Sequence, residues 1–377
     1  MYNILCDAVP FCFGPISKLL TISEKLNDFA ELTLLASGTS KELGINGPYK
    51  KVVDCNTEDI ADLKKNRQLF EEADLFISVM NPVSTKFAKE VGAPVAQVDS
   101  LFWMWDEISE ETAESELYFI QNFDGVKEQM QKFKNKLKNP ILVGPIVMEK
   151  PPVENRKNQL IVNFGGIESA LIKIGKNSNY PFTVSKILFN ILEKQSTFDS
   201  VLFVGLGRIM EQIEKNNKIA NARFLSLEHK EFLKELASSK LLLTSPGLTT
   251  SFEAFSFGIP TVFLPPQNYS QYWNIEKFKK HKLVYRDTGW ASLLPKLRIE
   301  ENEPEEEGVR KVLAAIKEFD AEEIVQKKLE SRITESLFAP QKEMQFIAET
   351  QRNYFESLGG NGTNRVVDEI KNFLAGK

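Results

Sequence analysis

The sequence predicts an α/β protein made of two Rossmann-like domains, each a doubly wound parallel sheet, followed by C-terminal helices. Short apolar runs alternate with amphipathic stretches along most of the chain, which is the pattern of parallel strands covered by helices on both faces. This alternation breaks once, near residue 150, and then restarts. The length of 377 residues exceeds the roughly 250 residues that one hydrophobic core usually organises.

Composition and charge are those of a globular protein and exclude several classes. Hydrophobic residues make up 42% and charged residues 26% of the chain, which excludes a disordered or low-complexity protein. The net charge of −5 provides no basic field for a nucleic acid. Three cysteines are too few for a disulfide framework and lack metal-ligand spacing. Neither a signal peptide nor a membrane-spanning run is apparent, so we expect a soluble cytoplasmic protein without an integral membrane segment.

The first domain is predicted over residues 1–147. Its apolar runs are interpreted as buried strands because each is short and bounded by polar or turn residues. These predicted strands are residues 2–6, 32–36, 51–53, 74–79, 94–98 and 141–143. Residues 17–29 are predicted to form an amphipathic helix, since their leucine, isoleucine and phenylalanine residues recur at helical spacing.

A proline-rich segment, residues 144–159, is predicted to link this domain to a second one over residues 158–320. The predicted strands of the second domain are residues 160–164, 200–205, 222–227, 240–245, 260–265 and 282–286. Residues 321–377 are predicted to form charged amphipathic helices, some of which pack back on the first domain. Two such domains joined by one linker are expected to face each other across a cleft.

The segment 241–274 contains the clearest functional pattern. A strand is expected to end at Ser245, and a helix is expected to begin near Thr249 with a hydroxyl residue as its N-cap. The first-turn amides and the positive end of the helix dipole suit a diphosphate. Glu253 follows one turn later, where a carboxylate can accept both hydroxyl protons of a ribose.

Amides and hydroxyls follow the next predicted strand, at Gln267, Asn268, Ser270 and Gln271. Such groups at a strand end suit a neutral polyhydroxylated ligand such as a sugar. Each feature alone is also typical of an ordinary strand, turn and helix with a capping threonine and an exposed glutamate. Their ordered combination favours a nucleotide-sugar site.

The same segment resembles the donor-binding signature of GT-B glycosyltransferases, which use nucleotide-diphosphate sugars. The residues that match this signature in register are Ser245, Gly247, Thr249, Thr250, Glu253, Gly258, Pro260 and Gln271. Ser270 stands where many members have Asp, which leaves the sugar open. Ser245 stands where plant-type members have His, so a hydroxyl or backbone contact with the diphosphate is implied there.

Three shorter motifs extend the resemblance. IVNFGG (161–166) resembles the first strand and glycine-rich loop of the second domain, and VGPI (143–146) resembles the motif before the interdomain crossing. FGPISKLLTISEKL (13–26) resembles the first-domain turn and helix beneath the acceptor. The resemblance implies a hexosyltransferase that needs neither a metal nor a cofactor beyond its nucleotide-sugar co-substrate, with a UDP-sugar favoured.

Together these observations define a set of candidate nucleotide-sugar-binding residues. They are Gly14, Gly165, Gly166, Arg208, Ser245, Gly247, Leu248, Thr249, Thr250, Glu253, Asn268 and Gln271. Arg208 is a candidate cation beside the phosphates, and a solvated arginine in the first turn of a helix is an equally good interpretation. The base is expected near Leu225–Leu227, where backbone groups can read uracil or another base.

The general base is where the sequence departs from the family pattern. Inverting members often have a His directly after the first-domain glycine, whereas Gly14 is followed by Pro15 in this chain. His229 and His281 lie in the second domain, and we interpret them as surface or capping residues rather than bases. A different residue type must therefore take the proton, unless the acceptor needs no base.

Carboxylates at the ends of first-domain strands remain as candidate bases, because burial in a cleft can raise a carboxylate pKa into a useful range. Asp7 and Asp99 are the leading ones, with Asp106 nearby, although the pattern around Asp7 and Asp99, each taken singly, slightly favours a cap of a helix or a turn. Ser17 and Lys18, at the start of the first helix, are positioned to touch the acceptor or a phosphate. The catalytic candidates are therefore Asp7, Ser17 and Asp99.

The acceptor is expected to be a small soluble molecule. Phe102, Trp103 and Trp105 beside a strand end can stack on a planar acceptor, or they can fill the seam between sheet and helix. A nucleobase is one such acceptor, as in the cytosylglucuronate synthases that the chain vaguely resembles. Two other functions fit the architecture: a sugar-nucleotide 2-epimerase, which typically has more histidines at its cleft, and a non-catalytic sugar-nucleotide-binding subunit.

Overall fold

The computed structural model describes residues 1–153, 155–168, 172–195, 197–216, 219–300 and 303–376. The chain forms two compact units. The first comprises Met1–Glu149 together with the residues from Glu356 onward, and the second comprises Lys150–Phe355. Glu154 of the predicted linker and Lys377 of the predicted C-terminal segment lie outside the described residues.

The first unit contains one parallel sheet. Its strands, in chain order, are β1 (Tyr2–Ala8), β2 (Ala30–Ala36), β3 (Lys51–Asp54), β4 (Leu75–Val79), β5 (Val95–Asp99), β6 (Leu117–Gln121) and β7 (Pro140–Val143). Their spatial order is β3-β2-β1-β4-β5-β6-β7, and all neighbouring pairs are parallel. The direction of winding changes between β1 and β4, which makes this a doubly wound sheet.

The second unit contains a smaller parallel sheet. Its strands are β8 (Gln159–Gly165), β9 (Ser200–Gly205), β10 (Ala222–Leu225), β11 (Leu241–Thr244) and β12 (Thr261–Phe263). Their spatial order is β10-β9-β8-β11-β12, again with all neighbours parallel. The winding changes direction between β8 and β11.

Helices alternate with these strands along the chain. In order they are α1 (Gly14–Leu26), α2 (Gly38–Gly44), α3 (Ile60–Lys65), α4 (Arg67–Glu71), α5 (Pro82–Glu90), α6 (Glu110–Ala113), α7 (Val126–Phe133), α8 (Tyr180–Lys194), α9 (Gly207–Glu214), α10 (His229–Ser238), α11 (Leu248–Phe257), α12 (Tyr269–Lys280), α13 (Trp290–Leu293), α14 (Glu305–Ala321), α15 (Glu323–Leu337), α16 (Gln341–Ser357) and α17 (Thr363–Ala375). A short 3-10 turn, Phe102–Met104, follows β5. Among the described residues, no helix combines the length and the apolar character that crossing a bilayer requires.

Strand β6 is absent from the strands that the sequence analysis predicted. Its residues, LYFIQ, are all buried between β5 and β7. Aromatic and branched side chains in a run of this length are typical of a strand, so the signal was available in the sequence.

The predicted strand at residues 282–286 is wrong. Lys282 has a φ of 60°, which turns the chain away from α12, and no β ladder forms over these described residues. The free edge of β12 is occupied instead by the side chain of Gln351. Its Oε1 accepts a hydrogen bond from Thr261 N at 3.0 Å, and its Nε2 donates to Thr261 O at 2.8 Å. One amide side chain thus replaces the pairing that a further strand would have made.

One face of the first sheet is covered by α1 and by α17, the last helix of the chain. Ile16 and Leu19 of α1 and Val366 and Ile370 of α17 are buried in the same hydrophobic core. This packing returns the end of the chain to the first unit.

The segment before α17 approaches the end of β7 closely. Gly362 N donates to Pro145 O at 2.8 Å, and Thr363 Oγ1 donates to Val147 O at 2.9 Å. A Cβ on Gly144 would overlap the carbonyl oxygen of Gly360, so only glycine fits between these two backbones.

Candidate functional site

The loops after β8, β9, β11 and β12 all leave the carboxyl edge of the second sheet. Open α/β sheets bind ligands at this edge, beside the point where the winding changes direction. All the predicted nucleotide-sugar-binding residues except Gly14 lie at the end of β8, on these loops or on the helices that follow them. Gly14 is the first residue of α1 in the first unit. Leu225 ends β10, so the predicted base-reading segment Leu225–Leu227 leaves the same edge.

Helix α11 begins at Leu248, and its N-cap is Gly247. The predicted hydroxyl cap is therefore wrong, because the chain enters the helix one residue before the threonines and glycine has no side chain to bind the first-turn amides. Asn274 Nδ2 donates to Pro246 O at 2.9 Å, and Ser251 Oγ donates to Gly247 O at 2.6 Å. These bonds fix the turn and leave the positive end of the helix facing the sheet edge, where it suits an anion.

An amide network ties the loops together. Gln267 Nε2 donates to Phe164 O at 3.3 Å and to Ser245 Oγ, and Gln267 N donates to Gln271 Oε1 at 2.9 Å. Asn268 is the N-cap of α12 and accepts from Gln271 N at 2.9 Å. Gln267 thus joins the loops after β8, β11 and β12, although the sequence analysis did not include it among the candidate ligands.

The glycine-rich loop after β8 is held in a left-handed turn. Gly165 has a φ of +66°, which strongly favours glycine, and its N–H donates to Asn163 Oδ1 at 3.0 Å. A Cβ at Gly165 would meet no described atom within 4 Å. Gly166 follows, buried, in the same turn. Gly165 therefore presents open backbone at the carboxyl edge of the sheet, beside the end of β11, which is the neighbour of β8.

Arg208 lies in the first turn of α9 and is ion-paired. Its Nη2 is 2.5 Å from Glu168 Oε1, and Ile174 N donates to the same oxygen at 2.8 Å. Partial burial favours a higher pKa for the Glu168 carboxyl, but these two donors outweigh it and hold the pKa below its ordinary value. Arg208 is thus anchored to the glycine-rich loop rather than freely solvated.

Glu253 is 1% exposed, and its Oε1 lies 2.6 Å from Nε2 of His229. His229 is the first residue of α10 and is itself 7% exposed. The interpretation of His229 as a surface or capping residue is therefore wrong. His281, in contrast, is exposed at the end of α12, and its ring packs on Tyr354.

Asp7 lies inside β1 and is fully buried. Its Oδ2 accepts from Asn81 Nδ2 at 2.8 Å. Burial raises the pKa of Asp7 to about 6, and hydrogen bonds from neighbouring side chains only partly oppose this shift. Side chains alternate along a strand, so Asp7 points away from the sheet face on which α1 and Ser17 lie. The structure does not bring Asp7 and Ser17 together.

Asp99 ends β5 and is enclosed by donors. Its Oδ1 accepts from Leu101 N at 2.8 Å, and its Oδ2 accepts from Trp105 Nε1 at 2.7 Å and from the Tyr118 hydroxyl at 3.0 Å. Burial raises the pKa of this carboxyl in spite of these bonds. Asp99, Trp105 and Tyr118 line a cavity of about 150 Å³ within the first unit, together with Met80.

The aromatic residues near Asp99 have different roles. Phe102 is fully buried and packs edge-on against Tyr118, so it fills the core. Trp103 packs on Phe123, and only Trp105 of the three lines the cavity. Asp106 is exposed, with its carboxylate 4.0 Å from Lys132 Nζ. Among the described residues, no three His, Cys, Asp or Glu side chains are grouped so as to hold a metal ion.

No protein-family model and no curated sequence matches the chain. Solved structures are similar to it over their full length. A UDP-glucosyltransferase from Polygonum tinctorium capable of glucosylating indoxyl is 11% identical with a TM-score of 0.59, covering 100% of this chain and 99% of that one. MurG of Acinetobacter baumannii is 10% identical with a TM-score of 0.54, covering 99% and 100%. Anabaena Alr3699/HepE, in complex with UDP and glucose, is 13% identical with a TM-score of 0.51, covering 100% of both chains.

These likenesses and the two doubly wound parallel sheets define the architecture: the chain has the GT-B fold. The fold class that the sequence predicted is confirmed.

Proposed function

We propose that this chain is a glycosyltransferase that moves a hexosyl group from a UDP-sugar to a small planar acceptor. One observation carries the proposal: α11 starts at a glycine N-cap on the carboxyl edge of the second sheet, with Glu253 one and a half turns further on. The glycine-rich loop after β8 and the amide network around Gln267 lie at the same edge. Solved structures with this fold hold UDP, UDP-glucose, or UDP and glucose, which agrees with this assignment.

The donor is assigned to the second unit. We place the diphosphate against the start of α11, at Gly247 to Thr250, and against the glycine-rich loop. Ser245 and Arg208 flank that position, and the ribose lies against Glu253. The sugar is assigned to the loop that holds Asn268 and Gln271, because amide groups suit its hydroxyls.

The chemistry requires charge stabilisation and a proton acceptor. The bond from the anomeric carbon to the diphosphate oxygen breaks, a bond from that carbon to the acceptor forms, and UDP leaves with the bonding electrons. The dipole and amides at the start of α11 stabilise the negative charge of the leaving group without a metal ion. The acceptor proton goes to a carboxylate, and we assign this role to Asp99, since it lines a cavity whereas Asp7 is sealed inside the sheet.

Cavity size limits the acceptor. An apolar cavity of about 150 Å³ accommodates a molecule the size of benzene. The cavity beside Asp99 and Trp105 has about this volume, so we propose a single-ring planar acceptor such as a nucleobase or a phenol. The Polygonum relative glucosylates indoxyl and was solved with 3,4-dichloroaniline, both planar aromatic molecules.

The test starts from donor binding. A thermal-shift screen of UDP, GDP and dTDP and their sugars should raise the melting temperature most with a UDP-sugar, because a ligand stabilises the state that binds it. The bound UDP-sugar is then incubated with candidate acceptors, and free UDP and product are followed by chromatography. Inversion at C2 of the sugar would instead indicate an epimerase, and binding without any turnover would indicate a non-catalytic subunit. No binding of any nucleotide sugar would contradict the proposal.

A further inference from the structure

The pair formed by His229 and Glu253 joins two helices at the candidate donor site. The two side chains are 6% and 1% exposed, and the atoms Nε2 and Oε1 are 2.6 Å apart. A carboxylate so deeply buried loses its hydration and needs a donor to remain ionised. His229 is positioned to supply that donor.

The two ring nitrogens of His229 have different surroundings. An ionised carboxylate only accepts hydrogen bonds, so Nε2 carries a hydrogen and donates it to Oε1. Nδ1 is buried and has no hydrogen-bond partner among the described residues. A buried N–H group without a partner costs more free energy than a buried lone pair without one, so Nδ1 is the nitrogen better suited to carry a lone pair. Nε2 is therefore the nitrogen through which His229 holds the carboxylate of Glu253.

We infer that His229 is a positioning residue that fixes the carboxylate of Glu253 and thereby makes the site select ribonucleoside over 2′-deoxyribonucleoside diphosphates. This inference rests on the proposed function. With Oε1 held by His229, the Oε2 oxygen is left to accept from the two ribose hydroxyls. A ligand without the 2′-hydroxyl gives this carboxylate oxygen one donor fewer. A site built to bind a hydroxyl strongly rejects an analogue that lacks it.

The experiment compares UDP with 2′-deoxy-UDP on the full chain by isothermal titration calorimetry. Wild type is expected to bind UDP at least about tenfold more tightly than 2′-deoxy-UDP. In His229→Gln the side-chain amide lies near the former Nε2 and can still donate to Glu253, so this preference should persist within about threefold. In His229→Asn the shorter amide lies near the former Nδ1 and cannot reach Glu253. The two ligands should then bind about equally tightly.

His229→Leu is the third variant and should behave like His229→Asn. Loss of the preference should arise from weaker UDP binding, with 2′-deoxy-UDP binding nearly unchanged. A merely structural role would weaken both ligands equally, and that result would overturn the inference. The melting temperature of each variant controls for folding, and if His229→Leu fails to fold, the comparison of His229→Gln with His229→Asn decides.

The outcome also separates this inference from the proposed function. Suppose that the wild type binds and turns over a UDP-sugar, and that all His229 variants discriminate against 2′-deoxy-UDP as well as the wild type does. That result would overturn the inference and leave the proposed function intact. Wild type that binds neither nucleotide would contradict the proposed function itself.

Discussion

Arg208 Nη2 lies 2.5 Å from Glu168 Oε1 and so ties the first turn of α9 to the loop after β8. The Arg208 side chain is still 52% exposed, whereas that of Glu168 is only 15% exposed. A guanidinium has five N–H donors in a planar fork, so one edge can hold Glu168 while another binds a second anion. The ion pair therefore leaves part of the guanidinium available for the phosphate contact that we propose.

Arg208→Gln is expected to weaken UDP binding about tenfold, because a charge-assisted hydrogen bond to a phosphate is worth roughly 1.5–3 kcal/mol. Binding of uridine, which has no phosphate, should be unchanged. Calorimetric titration of both ligands checks this. An equal loss for uridine would show that Arg208 supports the loop rather than the phosphate.

Glu253→Ala is expected to weaken UDP binding by roughly 2–4 kcal/mol, since two hydrogen bonds to a charged group are lost. Glu231→Ala is the matched control, because Glu231 is an exposed carboxylate on the neighbouring helix α10. The dissociation constants of the two variants provide the measurement. Unaltered affinity in Glu253→Ala, with the fold intact by circular dichroism, would remove Glu253 from the site.

Transferase activity is expected to survive removal of divalent metal ions, because the amides at the start of α11 neutralise the leaving diphosphate. UDP release is measured before and after dialysis against EDTA. A complete loss of activity that magnesium restores would contradict this.

Asp7 is expected to make stability depend on pH. Its pKa of about 6 in the folded state lies above its ordinary value of 3.8, so between these values the folded chain holds a proton that the unfolded chain has lost. The free energy of unfolding should therefore fall by about 2 kcal/mol as pH rises from 4 to 7, since each unit of pKa shift is worth about 1.4 kcal/mol and this range spans most of the shift. Urea denaturation at both pH values measures this change.

Asp7→Asn has no titrating group and should lack this part of the pH dependence. Asp28→Asn, a change at an exposed aspartate of the same unit, should keep it. The same pH profile in Asp7→Asn and wild type would show that Asp7 is not the source.

Gly144→Ala is expected to destabilise the first unit by about 1–3 kcal/mol, because the added methyl group overlaps a backbone carbonyl that cannot rotate away. Gly207→Ala is the control, since a Cβ there meets its nearest neighbour, Ser226 Cβ, at an ordinary 3.5 Å. Thermal denaturation compares the two variants. Equal melting temperatures would mean that the segment before α17 moves aside easily.

Local sequence patterns were sufficient for most of the strands and for the site loops. Periodicity and turn residues identified β11 and the start of a helix after Gly247, because both depend on neighbouring residues. The N-cap of α11 was predicted wrongly. The neighbouring threonines favour a cap made by a hydroxyl side chain, but the backbone already turns into the helix at Gly247.

Contacts between distant segments could not be predicted from local sequence patterns. His229 and Glu253 are 24 residues apart on two helices, and they meet only because α10 packs against α11. Gln351 lies 90 residues after the Thr261 backbone that it binds, so no local pattern could have shown that it replaces a strand. Which distant residues meet in this way depends on tertiary packing.

The position of α17 has a consequence for synthesis on the ribosome. Residues 150–355 emerge as one continuous stretch and can fold during translation, whereas the first unit lacks Val366 and Ile370 until α17 has been synthesised. The first unit is thus completed only after the second has been made, and until then part of one apolar face of its sheet is uncovered. A chain truncated before Thr363 would therefore destabilise the first unit, although the truncation removes residues more than 200 positions away from most of that unit's strands.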